Sequence, residues 1–304
     1  MTMTGDAIRL FDRTALRRQR ARAARLGGAE FLHDEAAQRL AERLEDVTRR
    51  FQRVLVLGAR RGAMAAALKR RREFELLVEA EEAPSLLSRS EYALRVAAEA
   101  EALPFAPRAF DLVLSPLLLH QANDLPGALL QLRHALKPDG LLLASLMAGE
   151  SLHELTECFL AAELEEEGGA GPRVAPMADP RALGGLLQRA GFALPVVDSD
   201  RITATYRDAF ALMAELRAMG ESNALLARRR HFTRRRTLLR MAEIYRQRFG
   251  DAEGRIPATF DLVTLTAWAP DESQPKPLRP GSAAARLADA LGTVERSAGE
   301  KAGR

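Results

Sequence analysis

Apolar residues in the first half of the chain fall in short runs with helical stretches between them. RVLVL (53–57), FELLVEA (74–80), YALRVAAEA (92–100), FDLVLS (110–115) and GLLLASLM (140–147) read as five strands. Helical patterns separate them at 63–71, 84–90 and 125–136. Short buried strands alternating with helices predict a doubly wound, mostly parallel α/β sheet covered on both faces. Two helices are expected upstream, a basic one across 14–26 and another at about 35–49. After Gly149 helices dominate. One spans 151–167 and stops at Gly168 and Gly169; a second opens at Asp179 or Pro180 and ends at Gly191; two more lie near 208–219 and 225–249. A strand at about 194–205 and the run ATFDLVTLTAW (258–268) bring the sheet to seven strands. Proline, glycine, serine and charge dominate from Pro270, which predicts a flexible tail. The expected organisation is a basic helical arm (1–44), a Rossmann-like core (45–148), a helical lid or substrate region with strand six (149–255), a final strand (256–269) and the tail (270–304).

Composition narrows the class without naming a ligand. The chain is 47% hydrophobic and 28% charged, ordinary values for a globular protein. Its longest apolar runs, such as 141–148, fall short of the ~20 residues that cross a bilayer. The first residues lack a signal-peptide core, and the single cysteine, Cys158, cannot form an internal disulfide; a cytoplasmic setting is expected. Only four of the 45 basic residues are lysine, so the calculated pI near 9.6 reflects an arginine-rich coding bias more than selection for nucleic acid.

Charge is unevenly placed. Arg228, Arg229, Arg230, Arg234, Arg235, Arg236 and Arg240 form a cluster in which only Phe232 could stack on a base. The stretch 150–167 carries seven glutamates and neither lysine nor arginine, so pairing between these two helices is the preferred reading. An acidic protein or an anionic lipid surface is the second, which leaves a peripheral membrane contact open and no transmembrane segment or nucleic acid expected. The arginines of residues 1–30 have no partner apparent in the sequence, and they are the better docking candidates.

The segment VLVLGARRGAMAAAL reads as strand, tight turn and helix start. Open α/β sheets bind ligands beyond the carboxyl ends of their strands where strand order reverses, and Gly58 and Gly62 would let a ligand approach there. Arg60 stands where a middle glycine would be, so the turn alone is also consistent with a bare strand-to-helix connection. Glu79, beside Ala80, is read as closing the second strand, placed to accept ribose hydroxyls. Glu99, beside Ala100, closes the third, where it could accept from an exocyclic amine. Two such carboxylates in order after a glycine turn suggest an adenosine pocket, with Ser115 a further cofactor-binding candidate, although a charged strand end is usually only solvated and Glu81, Glu82 and Glu101 lie close by.

The following stretch, AFDLVLSPLLLHQANDLPGALLQLRHALKPDGLLLASL, resembles strands four and five of class I S-adenosylmethionine-dependent methyltransferases. Within that superfamily the chain resembles the mitochondrial complex I assembly factor 5 family and its bacterial homologues. The matching segments run in order: FDRTALRRQRARAAR, LHQANDLPGAL, ESLHELTECFLAAELEEEGG, LLQRAGF, VDSDRITATYRDAFALMAELRAMGESN, GRIPATF and DESQPKPLRPGSA. The resemblance implies a methyltransferase fold, S-adenosylmethionine as cofactor, and action on a protein substrate, a peripheral-arm subunit, during assembly of NADH:ubiquinone oxidoreductase. In the mitochondrial relative the implied chemistry is arginine hydroxylation.

The chain departs from the family pattern at the turn. Val56 takes the usual aspartate position, Ala59 the cysteine position and Arg60 the second glycine position, while Pro116, Leu118 and Gln121 replace residues that are usually Ser, Ser and Trp. His120 and Tyr206 are the catalytic candidates; Asn123, Glu221, Ser222 and Asn223 are the substrate candidates. No metal site is expected, because His120, His134, His153 and His231 are scattered. A non-catalytic assembly factor with a degenerate cofactor site, and a carboxyl O-methyltransferase acting on a carrier-protein-bound acid, are the alternatives.

Overall fold

The computed structural model describes residues 9–27, 29–69, 74–87, 94–275, 289 and 291–294. Seven strands form one sheet: β1 (Arg53–Leu57), β2 (Leu76–Glu81), β3 (Leu94–Ala97), β4 (Phe110–Pro116), β5 (Leu136–Ala148), β6 (Ala193–Tyr206) and β7 (Ile256–Trp268). Their order is β3-β2-β1-β4-β5-β7-β6, parallel from β3 to β5, with β7 antiparallel between β5 and β6. The order reverses between β1 and β4, so the carboxyl ends of these two strands face the crevice where such sheets place ligands.

Eight α-helices lie among the described residues: α1 (Arg13–Leu26), α2 (Phe31–Glu45), α3 (Ala63–Lys69), α4 (Leu125–Ala135), α5 (His153–Glu167), α6 (Pro180–Arg189), α7 (Ala209–Met219) and α8 (Arg235–Phe249). Apolar residues of α2 and α3, including Leu40, Leu44, Met64 and Leu68, cover one face of β1 and β4. Leu129 and Leu132 of α4, with Leu183 and Leu187 of α6, cover the other. A third cluster joins α5, α7 and α8 to the ends of β5 and β7 through Cys158, Phe159, Leu212, Tyr245 and Phe260. Burial on both faces is why the parallel strands read as unbroken apolar runs.

Several boundaries differ from expectation. The second helix covers 31–45 rather than 35–49. β2 runs on to Glu81, so Glu79 lies within the strand and not at its end. Residues 84–86 form a turn in place of a helix, and 88–93 lie outside the described residues. The Lys137–Gly140 turn is a bulge at the start of β5: Phe110 pairs with Leu136 and Leu112 with Leu141, with Asp139 in the left-handed region at φ 56°. The last helix begins at Arg235 instead of 225, because Leu225 is drawn into a bridge with Phe11. Most of the tail, 276–288, 290 and 295–304, lies outside the described residues. Among those residues, no helix is long and apolar enough to cross a membrane.

The two charged helices pair as expected. Arg236 lies 2.8 Å from Glu166 and Arg240 2.6 Å from Glu165, and Arg229 reaches Glu163 and Glu167. The Arg236 and Arg240 pairs are partly exposed and contribute little alone, whereas Arg229 meets a fully buried Glu163. Together they select which face of α8 meets α5.

Candidate functional site

The turn after β1 puts Gly58 at φ 84° and Gly62 at φ 83°, with the Gly58 and Ala59 amides donating to Ala80 O at 2.8 and 3.3 Å. Arg60 between them is also left-handed, at φ 51°, a conformation that costs an L-residue about 1–2 kcal/mol. The return comes from its side chain, which is 8% exposed. Its guanidinium lies 3.6 Å from Glu221 Oε1 and donates to Met219 O at the end of α7. Its amide lies 3.4 Å from Glu81 Oε2. The turn is thereby bolted to the lid.

The second cation comes from α1. Arg20, 6% exposed at its side chain, lies 3.4 Å from Glu81 and 3.2 Å from Glu82, and donates to Gln121 Oε1 at 2.7 Å. Gln121 Nε2 donates in turn to Glu221 Oε2 at 2.5 Å, and His120 Nε2 lies 3.2 Å from the same oxygen. One and two turns earlier on the helix, Arg17 meets Glu82 and Glu99, and Arg13 meets Glu82, Glu99 and Glu101. Four guanidiniums therefore face five carboxylates across the strand ends. Burial pushes the Glu221 carboxyl up, but His120, Arg60 and Arg20 outweigh it and hold the carboxyl below its ordinary range.

The expectation that the N-terminal arginines lack internal partners is thus corrected for Arg13, Arg17 and Arg20. Their carboxylate partners are 61 to 88 residues away, beyond the reach of local pattern. Arg18, Arg22 and Arg25 lie on the other face of α1 and form no salt bridge among the described residues.

The sequence-predicted residues separate into groups. Gly58, Arg60 and Glu221 border the crevice, Gly62 ends the turn, Glu99 pairs with Arg13 and Arg17, and His120 lies beside Glu221. Glu79 is fully buried inside β2, and Glu81 is the carboxylate that reaches the turn. Ala80 serves through its carbonyl, Ser115 is buried within β4, and Ala100 is buried in the turn after β3. Asn123 is a brace: its Oδ1 accepts from the Leu10 and Phe11 amides at 2.8 and 2.7 Å. Asn223 accepts from Leu225 N at 3.0 Å and donates to Pro172 O at 2.7 Å. Tyr206 belongs to the core beneath the lid, where burial first and Glu215 second push its hydroxyl pKa up.

Beyond His120 the structure opens into a cavity of about 460 Å³ under α5 and α7. Its walls are mostly apolar, with Leu119, Met147, Leu155, Phe159, Met213 and Leu216 prominent, and Ser222 and Asn223 on the lining. His120 and Glu221 border both cavity and crevice-side network, and His120 Nδ1 has no hydrogen-bond partner among the described residues. Among those residues no three His, Cys, Asp or Glu side chains are grouped to hold a metal ion.

Comparison with known proteins places the fold in a class. Residues 55–144 match the methyltransferase domain family. A Bacillus halodurans protein described as a methyltransferase superposes with a TM-score of 0.53 at 14% identity, over 76% of this chain and 99% of its own. YcgJ of Bacillus subtilis also gives 0.53, at 14% identity over 76% of this chain and 98% of its own. The chain is a member of the class I methyltransferase superfamily. Within it, the chain belongs to the family of arginine-hydroxylase NDUFAF5. It is 38% identical to the mitochondrial protein of Danio rerio over 93% of this chain and 90% of that protein, and 38% identical to the human protein over 91% and 81%. Malonyl-[acyl-carrier protein] O-methyltransferase of Halorhodospira halophila is 36% identical over 86% of this chain and 90% of its own.

S-adenosylmethionine is the cofactor that this fold class implies, and the residues as arranged do not fit it. Between Arg20, Gly58, Arg60, Glu81, Pro116, Leu118 and Glu221 there is no room for a water molecule. The carboxylates that would receive a nucleoside are already bonded to arginines.

Two stability measurements follow. Arg20→Ala leaves Glu81 and Glu82 buried without their cation and should cost about 3–5 kcal/mol in urea unfolding, against about 0.5 kcal/mol or less for the outward Arg18→Ala. Equal effects would contradict the network. His33, on α2, is 2% exposed with neither ring nitrogen hydrogen-bonded; burial, then Arg60, His120 and Arg20, pull it well below the ordinary 6.5. Its folded form stays neutral, so below pH 6.5 the unfolded chain takes up a proton that the native chain refuses. Stability should fall as pH drops through that value, by up to about 1.4 kcal/mol per pH unit from this group, and His33→Leu should flatten the slope. The Glu221 contribution is lost only below the ordinary carboxylate value of 4.5, so a loss of stability that sets in at pH 6.5 belongs to His33 and not to Glu221.

Proposed function

We propose that the protein is an assembly factor for respiratory complex I that takes hold of a protein substrate, a peripheral-arm subunit, in the cavity beneath the helical lid. The observation that carries this reading is the open cavity on the substrate side of the sheet, ending at His120 and Glu221, in a chain whose cofactor crevice is filled. Family membership supports it: the relatives are named as arginine hydroxylases, and an arginine suits the cavity chemically. Its methylenes would lie along Phe159, Met213 and Leu216, and its guanidinium would reach the Glu221 carboxylate. His120 lines the cavity beside Glu221, and its buried Nδ1, which has no partner among the described residues, is the group that a small shift of the ring would offer to the bound side chain.

A second reading, methylation of a carboxyl group on a carrier-bound acid, draws support from the Halorhodospira relative and from the apolar walls, which would suit an acyl chain. The filled crevice weighs against it. A placement at the inner face of a membrane is supported by the exposed loop around Phe232, where Arg230, Arg234 and Arg235 form no salt bridge among the described residues.

Affinity capture from membranes of a respiring host should recover a complex I peripheral-arm subunit with the intact protein. Met213→Trp, which fills the cavity, should abolish the recovery, and Arg18→Gln with Arg22→Gln and Arg25→Gln should weaken it. Undiminished recovery with Met213→Trp would rule out the cavity as the receiving site.

A further inference from the structure

We propose that in this chain the crevice above the glycine turn is not a cofactor site: α1 and Arg60 fill it as a fixed internal ligand, and the protein works without S-adenosylmethionine bound there. This stands whether or not the partner named above is correct, because it concerns only the chain's own residues.

Each feature that a nucleoside cofactor would use is already engaged. A glycine turn binds by letting a ligand pass close over its backbone. At Gly58 an added Cβ would lie 3.0 Å from Leu118 Cβ and 3.2 Å from Pro116 O, so Leu118 stands over that approach. The acids at the end of β2 would accept ribose hydroxyls, but Arg20 lies against Glu81 and Glu82 with its side chain 6% exposed. The acids after β3 would face the base, but Arg13 and Arg17 lie against Glu99 and Glu101. At the inner end Arg60 is held by Glu221 and the Met219 carbonyl.

Charge explains why this plug stays in place. S-adenosylmethionine carries a sulfonium, an ammonium and a carboxylate, a net charge of one positive unit. Withdrawing α1 would remove three guanidiniums and leave Glu81, Glu82, Glu99 and Glu101 facing one another. A ligand with a single net charge cannot replace that neutralisation, and like charges at close range in a partly buried crevice repel strongly.

Fixation at both ends points the same way. Asp12 caps α1 by accepting from Ala15 N and pairs with Arg228 at 2.9 Å. Asn123 holds the Leu10 and Phe11 amides. Leu16 packs with Phe11, Ala224 and Leu225, and Ala23 sits so close to Gly220 that a Cβ there would meet it at 3.3 Å. A lid meant to open would have fewer buried attachments than these.

Two measurements on the intact chain test the proposal. Calorimetric titration with S-adenosylmethionine, and separately with S-adenosylhomocysteine, should show no saturable heat up to about 1 mM, a Kd weaker than millimolar. Saturable binding with a Kd of about 1 mM or tighter would overturn it. Native-state hydrogen exchange should find the α1 amides from Leu16 to Leu26 as slow as those of β1 and β4, and unchanged by about 1 mM S-adenosylmethionine. Exchange of α1 at the rate of an exposed loop, or protection that changes with the cofactor, would also overturn it. Subunit capture is read out separately: saturable binding would overturn the filled crevice and restore the carboxyl-methylation reading, while loss of capture would overturn the assembly role alone, so the two failures are distinguishable.

Discussion

A buried arginine from the N-terminal helix, held between two carboxylates at the end of β2 and a glutamine after β4, is the contact on which the rest of the arrangement depends. Burying Arg20 with Glu81 and Glu82 exacts a desolvation penalty that only near-complete pairing offsets. That requirement places α1 along the strand ends, brings Arg13 and Arg17 to Glu99 and Glu101, and sets Gln121 so that it can bridge to Glu221. Arg60 then reaches Glu221 and Met219 from the turn, and the lid, the arm and the sheet are joined by one polar network.

The molecule divides a familiar scaffold unequally. Topology still creates the crevice at the point where strand order reverses, and the two left-handed glycines still shape the turn. The space there has nonetheless been given to arginine side chains. Across Leu119 and His120, the cavity under α5 and α7 remains open and mostly apolar. His120 and Glu221 belong to both regions, so the stability of the packed side and the chemistry of the open side are coupled through the same carboxylate.

Much of the sheet was legible in the sequence because its strands are buried on both faces: β1 and β4 stand where their apolar runs lie. Legibility failed where long-range pairing decides. Glu79 reads as a strand end, yet β2 continues two residues further and Glu81 inherits the position. Residues 225–234 are helix-permissive in composition, but Leu225 joins Phe11 and Arg228 joins Asp12, which delays the helix to Arg235. The pairing of the basic and acidic helices was readable from charge blocks alone. The spacing of Arg13, Arg17 and Arg20 on one face of α1, against acidic runs after β2 and β3, was the available signal for the filled crevice. Only the fold shows that these runs meet.

The most direct test of that crevice is a crystal structure of the full chain grown with about 5 mM S-adenosylhomocysteine, a concentration that would saturate even a weak site. The arrangement predicts Arg20 on Glu81 and Glu82, Arg60 on Glu221, and no nucleoside density above Gly58. A nucleoside bound to Glu81, with α1 displaced from the strand ends, would contradict it.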